Sequence, residues 1–180
     1  MPQGMSSSQM PHSQQKGWRF AALFYMARCM EKTFHLPSDK KTRSFGAALA
    51  TILQPGDVLA LHGGLGAGKT TMTRGLIQFL LGEEEEVPSP TYTLVQIYET
   101  DAFPIWHFDL YRLESPEDLH ELGWDETDQG VAILEWPDKA GDQLPAWRLD
   151  VHLEFDGDQR IVRLVPCGED WQTRLDDFRF

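Results

Sequence analysis

The sequence predicts an α/β fold, on three observations. A short apolar run at residues 58–62 leads into a glycine-rich stretch and then into an amphipathic segment at 71–81, in the order strand, loop, helix. A second apolar run, Val131-Ala132-Ile133-Leu134, reads as a strand buried on both faces, with a carboxylate, Glu135, at its C-terminal end. Residues 148–155 and 160–165 alternate apolar and polar around Asp156-Gly157-Asp158, as an antiparallel hairpin with one wet face does. At 180 residues the chain is long enough for one domain with a real core.

Composition narrows the function. The net charge is −12, so the surface is acidic and a broad or strong direct nucleic-acid-binding face is not expected. The two cysteines, Cys29 and Cys167, have no metal or redox spacing and read as reduced thiols of a cytoplasmic protein. No apolar run is long enough to span a membrane, and none is expected as a partner.

Residues 1–29 differ from the rest. Residues 1–15 are rich in Ser, Gln, Met and Pro and are expected to be disordered. Lys16, Arg19 and Arg28 flank a short apolar run, which faintly resembles a signal peptide. The run is short and Arg28 interrupts it, so the expectation is an upstream extension or a misplaced start, with Met30 as the natural first residue and a single domain over 30–180. Residues 32–36 read as a strand. Pro37-Ser38-Asp39 starts a helix capped by Ser38 or Asp39, and Thr42, Phe45, Leu49, Ile52 and Leu53 follow at helical spacing. Pro55-Gly56-Asp57 turns the chain into the strand at 58–62.

Gly63-Gly64-Leu65-Gly66-Ala67-Gly68-Lys69-Thr70 fits G-x-x-x-x-G-K-[ST], a phosphate-binding loop. Its glycines let the backbone curl so that successive N–H groups point at phosphate oxygens, and the helix N-terminus adds orphan donors and a positive dipole end. The pattern assigns Gly64, Leu65, Gly66, Ala67 and Gly68 to the phosphate cradle, Lys69 to the β- and γ-phosphates, Thr70 to Mg²⁺ and Thr71 to the α-phosphate. ATP and Mg²⁺ are the expected cofactors, held against an unfavourable acidic background.

Gly82 ends the helix, and the acidic run at 83–86 reads as a solvated loop. Val87-Pro88-Ser89-Pro90-Thr91-Tyr92-Thr93-Leu94 is stiffened by two prolines and crowded with hydroxyls. It is either a segment that senses γ-phosphate and Mg²⁺ or an ordinary Pro/Ser loop. Residues 95–98 and 105–111 read as hairpin partners with a turn near 101–104. Asp109 shares a face with Ile105 and His107, and a carboxylate in that apolar setting needs a partner: a metal, or the nearby Arg112. Ser115 and Pro116 open a short helix that stops at Gly123. Glu135, at the carboxyl end of its strand, is placed like a Walker-B acid, on Mg²⁺ directly or through water. Arg160 or Arg163 on the last hairpin strand is within reach of nucleotide or simply solvated, and residues 171–178 form a weak terminal helix.

Several motifs occur together and in order: Gly64-Leu65-Gly66-Ala67-Gly68-Lys69-Thr70-Thr71, Ser89-Pro90-Thr91-Tyr92-Thr93-Leu94, His107-Phe108-Asp109-Leu110-Tyr111-Arg112, Glu121-Leu122-Gly123 and Leu134-Glu135-Trp136-Pro137. From about Met30 through the last hairpin the chain resembles the TsaE (YjeE) family of ATPases of tRNA threonylcarbamoyladenosine biosynthesis. The resemblance implies a P-loop NTPase fold, a three-layer sandwich with a mixed sheet. It implies ATP and Mg²⁺ binding, with Thr70 and Glu135 as metal ligands and Asp109 close by, and it makes 89–93 a switch-like loop. Thr42, in a Thr-x-x-x-Gly helix with Gly46, would lie near the nucleotide. TsaD and TsaB would be the protein partners, and ATP hydrolysis, weak without them, would support their turnover. Lys69, Asp109 and Glu135 are then the catalytic set. The family usually has Asp where this chain has Gly64, and it has no counterpart of the first ~29 residues. A small-molecule or nucleotide kinase is the rival reading; between Glu83 and Asp128 only Arg112 is available for the Arg-rich lid such kinases often use. A binding module that holds ATP without useful hydrolysis is a third.

Overall fold

The computed structural model describes residues 31–82 and 85–180; the expected extension and part of the acidic run at 83–86 lie outside them. The described residues build one seven-stranded sheet in the order β1-β7-β6-β2-β5-β4-β3. Its strands are β1 (Lys32–Leu36), β2 (Val58–His62), β3 (Val95–Tyr98), β4 (Ile105–Asp109), β5 (Val131–Glu135), β6 (Arg148–Asp156) and β7 (Gln159–Cys167). The four central strands β6, β2, β5 and β4 run parallel. The edges are antiparallel: β7 and β1 on one side, β3 on the other. The sheet is therefore mixed, and its parallel centre places the carboxyl ends of β2, β4 and β5 together, where such sheets carry their ligands.

Alternation along the central strands separates two cores. Leu59, Leu61 and Ile133 face one side and pack with Phe45, Leu49, Met72, Leu76 and Ile77 of helices α1 (Asp39–Ala50) and α2 (Lys69–Leu81). Trp171 and Leu175 of α3 (Glu169–Asp177) join the same core. Val58, Ala132 and Leu134 face the other side, under Leu110, Leu119 and Ala140. The third layer consists of short 3₁₀ helices (Leu110–Arg112, Pro116–Leu122, Trp124–Gln129 and Pro137–Gln143) rather than α-helices.

The helices α1 and α2 touch backbone to backbone. A Cβ on Gly46 would collide with the Met72 carbonyl, and one on Gly75 with the Arg43 carbonyl. Only glycine permits that approach, which brings Thr42 against the base of the loop between β2 and α2. Ser38 caps α1 by accepting from the Lys41 N–H at 3.3 Å, and Gly82 ends α2 in the left-handed region at φ 72°.

Two boundaries differ from the sequence expectation. The helix expected at 71–81 starts two residues earlier, at Lys69, because Gly68 (φ 105°) turns the chain directly into it. The strand expected at 105–111 ends at Asp109, whose carboxylate accepts the Tyr111 N–H at 3.1 Å and closes a 3₁₀ turn. Among the described residues no helix is long and apolar enough to cross a membrane.

Candidate functional site

The loop at 63–68 connects β2 to α2 at the carboxyl end of the sheet. It curls through three left-handed glycines, Gly63 (φ 146°), Gly66 (φ 74°) and Gly68 (φ 105°). At Gly63 a Cβ would also stand 2.5 Å from the Leu153 carbonyl of β6, so the loop is pressed against the sheet. Gly64 differs: its φ is ordinary and a Cβ there would meet nothing within 4 Å. Leu65 at the tip is exposed, while Ala67 is buried.

Lys69, the first residue of α2, is only 4% exposed. Its ammonium donates to the Gly63 carbonyl at 2.8 Å and the Gly64 carbonyl at 3.0 Å, and it lies 4.1 Å from the centroid of the Trp136 ring. Burial lowers its pKa from the ordinary lysine value, opposed by the carboxylates of Glu135 and Asp109. Trp136 adopts the left-handed conformation (φ 60°, ψ 50°), an uncommon backbone for a bulky residue, immediately after the last residue of β5. That bend turns its ring over Lys69 and against Tyr111, with centroids 5.1 Å apart.

Glu135 and Asp109 are direct partners across β5 and β4, and both are 3% exposed. Glu135 Oε1 accepts from the Thr70 hydroxyl at 2.7 Å and lies 3.0 Å from His107 Nε2. Asp109 Oδ2 accepts from Ser89 Oγ at 2.6 Å and Thr91 Oγ1 at 2.7 Å, and those two hydroxyls are 2.8 Å from each other. The Pro/Ser loop is thus fastened to the site through Asp109. Leu94, at its end, sits in the left-handed region (φ 64°) and accepts the Asp109 N–H at 2.9 Å.

The remaining candidates lie around this pair. Thr42 is buried, donates to the Ser38 carbonyl at 3.3 Å, and carries its methyl 3.6 Å from where a Gly68 Cβ would be. Thr71 follows Thr70 in the first turn of α2 and is half-buried. Arg160, from β7, donates to the carbonyls of Ala67 at 3.1 Å and Gly66 at 3.4 Å and packs 4.3 Å over Phe155, so it holds the outside of the loop. Arg163 instead pairs with Glu31 at 3.2 Å. Of the two partners the sequence leaves open to Asp109, Arg112 is not the one it meets: Arg112 lies 4.8 Å over the Tyr92 ring, and loop hydroxyls bind the carboxylate.

Two contributors escaped the sequence reading. His107 is fully buried beneath Glu135, and only the strand register brings residues 28 apart in sequence into contact. Trp136 gave one local signal, its place between a strand-end carboxylate and Pro137. Together, Thr70, Glu135 and Asp109 offer hydroxyl and carboxylate oxygens, a donor set that fits a hard divalent cation. Lys69 and the loop N–H groups suit a polyphosphate beside it.

The family model for the threonylcarbamoyl adenosine biosynthesis protein TsaE matches residues 36–163. The chain is 39% identical over 132 residues to the tRNA threonylcarbamoyladenosine biosynthesis protein TsaE of Rickettsia bellii, covering 72% of this chain and 92% of that protein. It is 40% identical over 141 residues to the protein of the same name from Bacillus subtilis, covering 77% and 87%. The crystal structure of Bacillus subtilis YdiB superposes with a TM-score of 0.71 at 29% identity, covering 83% of this chain and 95% of that one. Each of these covers most of the fold and every candidate residue above lies inside the matched segment, so the chain belongs to the TsaE family.

Proposed function

We propose that the chain is a Mg²⁺-dependent ATPase that acts in tRNA threonylcarbamoyladenosine biosynthesis, where it docks on TsaD and TsaB and its ATP cycle supports their turnover. One observation carries the reading. The phosphate loop with its lysine, the Thr70–Glu135 contact and the loop-bound Asp109 converge at one end of the sheet. The names of the relatives supply the pathway, and the acidic surface (net charge −12) suits a protein partner better than bare tRNA.

Lys69 exchanges its two loop carbonyls for phosphate oxygens when nucleotide enters, and remains under Trp136. Thr70 and Glu135 would hold Mg²⁺, and the chemistry it would supply there is neutralisation of phosphate charge. Thr70 keeps its proton in the 2.7 Å hydrogen bond to Glu135 Oε1, which would leave its oxygen lone pairs available to the cation. Glu135 or Asp109 would orient the attacking water, whose oxygen bonds to the terminal phosphorus as the bond to ADP breaks, its proton leaving on inorganic phosphate or to solvent. Asp109, bound to Ser89 and Thr91, links that event to the Pro/Ser loop, so loss of the terminal phosphate frees the loop and alters the surface a partner sees.

Lys69→Ala abolishes ATP turnover on this account, measured as phosphate released by the purified chain with its partners; unchanged turnover in a folded variant would sink the assignment. The kinase reading is separated in the same assay. Phosphate appears as inorganic phosphate if the chain is an ATPase, and on an added nucleoside or sugar if it is a kinase. A module that only holds ATP gives neither.

A further inference from the structure

A second cluster of ligating side chains lies on the sheet apart from Thr70, Glu135 and Asp109. His62 and His152 are direct Cα partners on β2 and β6, and Asp150, two residues before His152, shares their face. We propose that His62, Asp150 and His152 form a binding site for a zinc-type divalent cation, distinct from the Mg²⁺ site of the nucleotide.

The geometry carries this in four steps. The three ligating atoms lie within 4.8 Å of one another. His62 Nε2 is buried and faces Asp150 Oδ1 at 3.4 Å, an ion-pair contact that a cation between the two atoms would replace. Two atoms bound at ~2.0–2.1 Å in a tetrahedral shell are about 3.4 Å apart, so this pair already has the spacing of two ligands on one ion. The rings of His62 and His152 are stacked, with centroids 4.5 Å apart, so binding requires a side-chain rotation of His152 to turn its nitrogen toward the ion.

The surroundings supply what ligands of a metal need behind them. Arg148 fixes the Asp150 carboxylate through both oxygens, at 2.7 and 3.2 Å, which orients it and balances one charge. Asp138 Oδ1 stands 3.8 Å from His62 Nδ1 with its side chain 93% exposed, free to swing in and accept the second ring N–H. Two imidazoles and one carboxylate select zinc, cobalt or nickel over magnesium or calcium. His62 also precedes Gly63, whose carbonyl holds Lys69 at 2.8 Å, so an ion there sits beside the base of the phosphate loop.

The test is calorimetric titration of the untagged full chain with Zn²⁺, and the visible spectrum of its Co²⁺ form, both in excess Mg²⁺ to fill the other site. The expected result is one equivalent bound, with Co²⁺ bands of a low-coordinate site. Affinity should fall at least tenfold in His62→Ala and in His152→Asn and stay unchanged in Glu135→Gln. A melting curve on each variant shows that it is folded; if His62→Ala fails to fold, His152→Asn carries the test. No binding by the wild-type chain overturns the proposal. So does binding that persists in folded His152→Asn, or binding lost in Glu135→Gln. None of these outcomes depends on ATP hydrolysis, so failure here leaves the ATPase reading standing, and the reverse.

Discussion

Two carboxylates stand side by side at the ends of β4 and β5, equally buried, and are held by different kinds of structure. Glu135 is bonded to Thr70 in the first turn of α2 and to His107 inside β4, both parts of the packed core. Asp109 is bonded to Ser89 and Thr91, in a segment of non-repetitive backbone between α2 and β3. The first arrangement fixes a ligand in place. The second makes a carboxylate the attachment point of a loop. The hydroxyls of Ser89 and Thr91 orient Asp109 as partners orient any ligating carboxylate, and because they come from a loop they also give the site a link through which phosphate state can reach a partner.

The contrast predicts that the two acids fail differently. Glu135→Gln keeps the shape and removes the charge, so ATP turnover should fall by about 10²–10³-fold. Added Mg²⁺ should restore little of it; turnover within a few-fold of wild type would assign the metal to Asp109 instead. Asp109→Asn should lower turnover by ~10–100-fold while nucleotide binding persists, and Ser89→Ala with Thr91→Ala should reproduce much of that loss. Calorimetry with a non-hydrolysable ATP analogue separates binding from turnover in these variants. If the Ser89 and Thr91 changes are silent, the loop is not coupled to the acid.

His107 sharpens the comparison from the Glu135 side. His107→Ala removes a buried support, and Mg²⁺ affinity should drop by ~10-fold or more. His107→Asn, which keeps a donor, should recover part of it; equal loss in both would mean that the ring serves packing. The smallest effect is expected at Gly64. Its φ is ordinary and no atom lies within 4 Å of an added Cβ, so Gly64→Asp should change stability by less than about 0.5 kcal/mol. Gly63→Ala, by contrast, meets both a φ of 146° and the Leu153 carbonyl at 2.5 Å and should disrupt the loop.

Much of this was legible in the sequence because it is local. The strand at 58–62, the glycine loop and the helix behind it follow one another along the chain, and periodicity with turn chemistry located them. Glu135 was legible from its place at the end of a fully apolar run. What escaped was set by register and by backbone bends. Only the pairing of β4 with β5 puts His107 under Glu135, and only the pairing of β2 with β6 puts His62 beside His152. Arg112 was the nearest charge to Asp109 along the chain, yet hydroxyls from about twenty residues upstream reached it first. The short helix that Ser115 opens and Gly123 stops is a 3₁₀ helix (Pro116–Leu122), one of several in the third layer, a difference that apolar spacing over so few residues does not encode.

The most direct test is the rate of phosphate release from ATP by the purified chain alone and with TsaD and TsaB added. Slow turnover alone that rises strongly with the pair, and disappears in Lys69→Ala, is the predicted result. Tight Mg-ATP binding with no stimulation by the pair would contradict the account, leaving a nucleotide site whose work lies elsewhere.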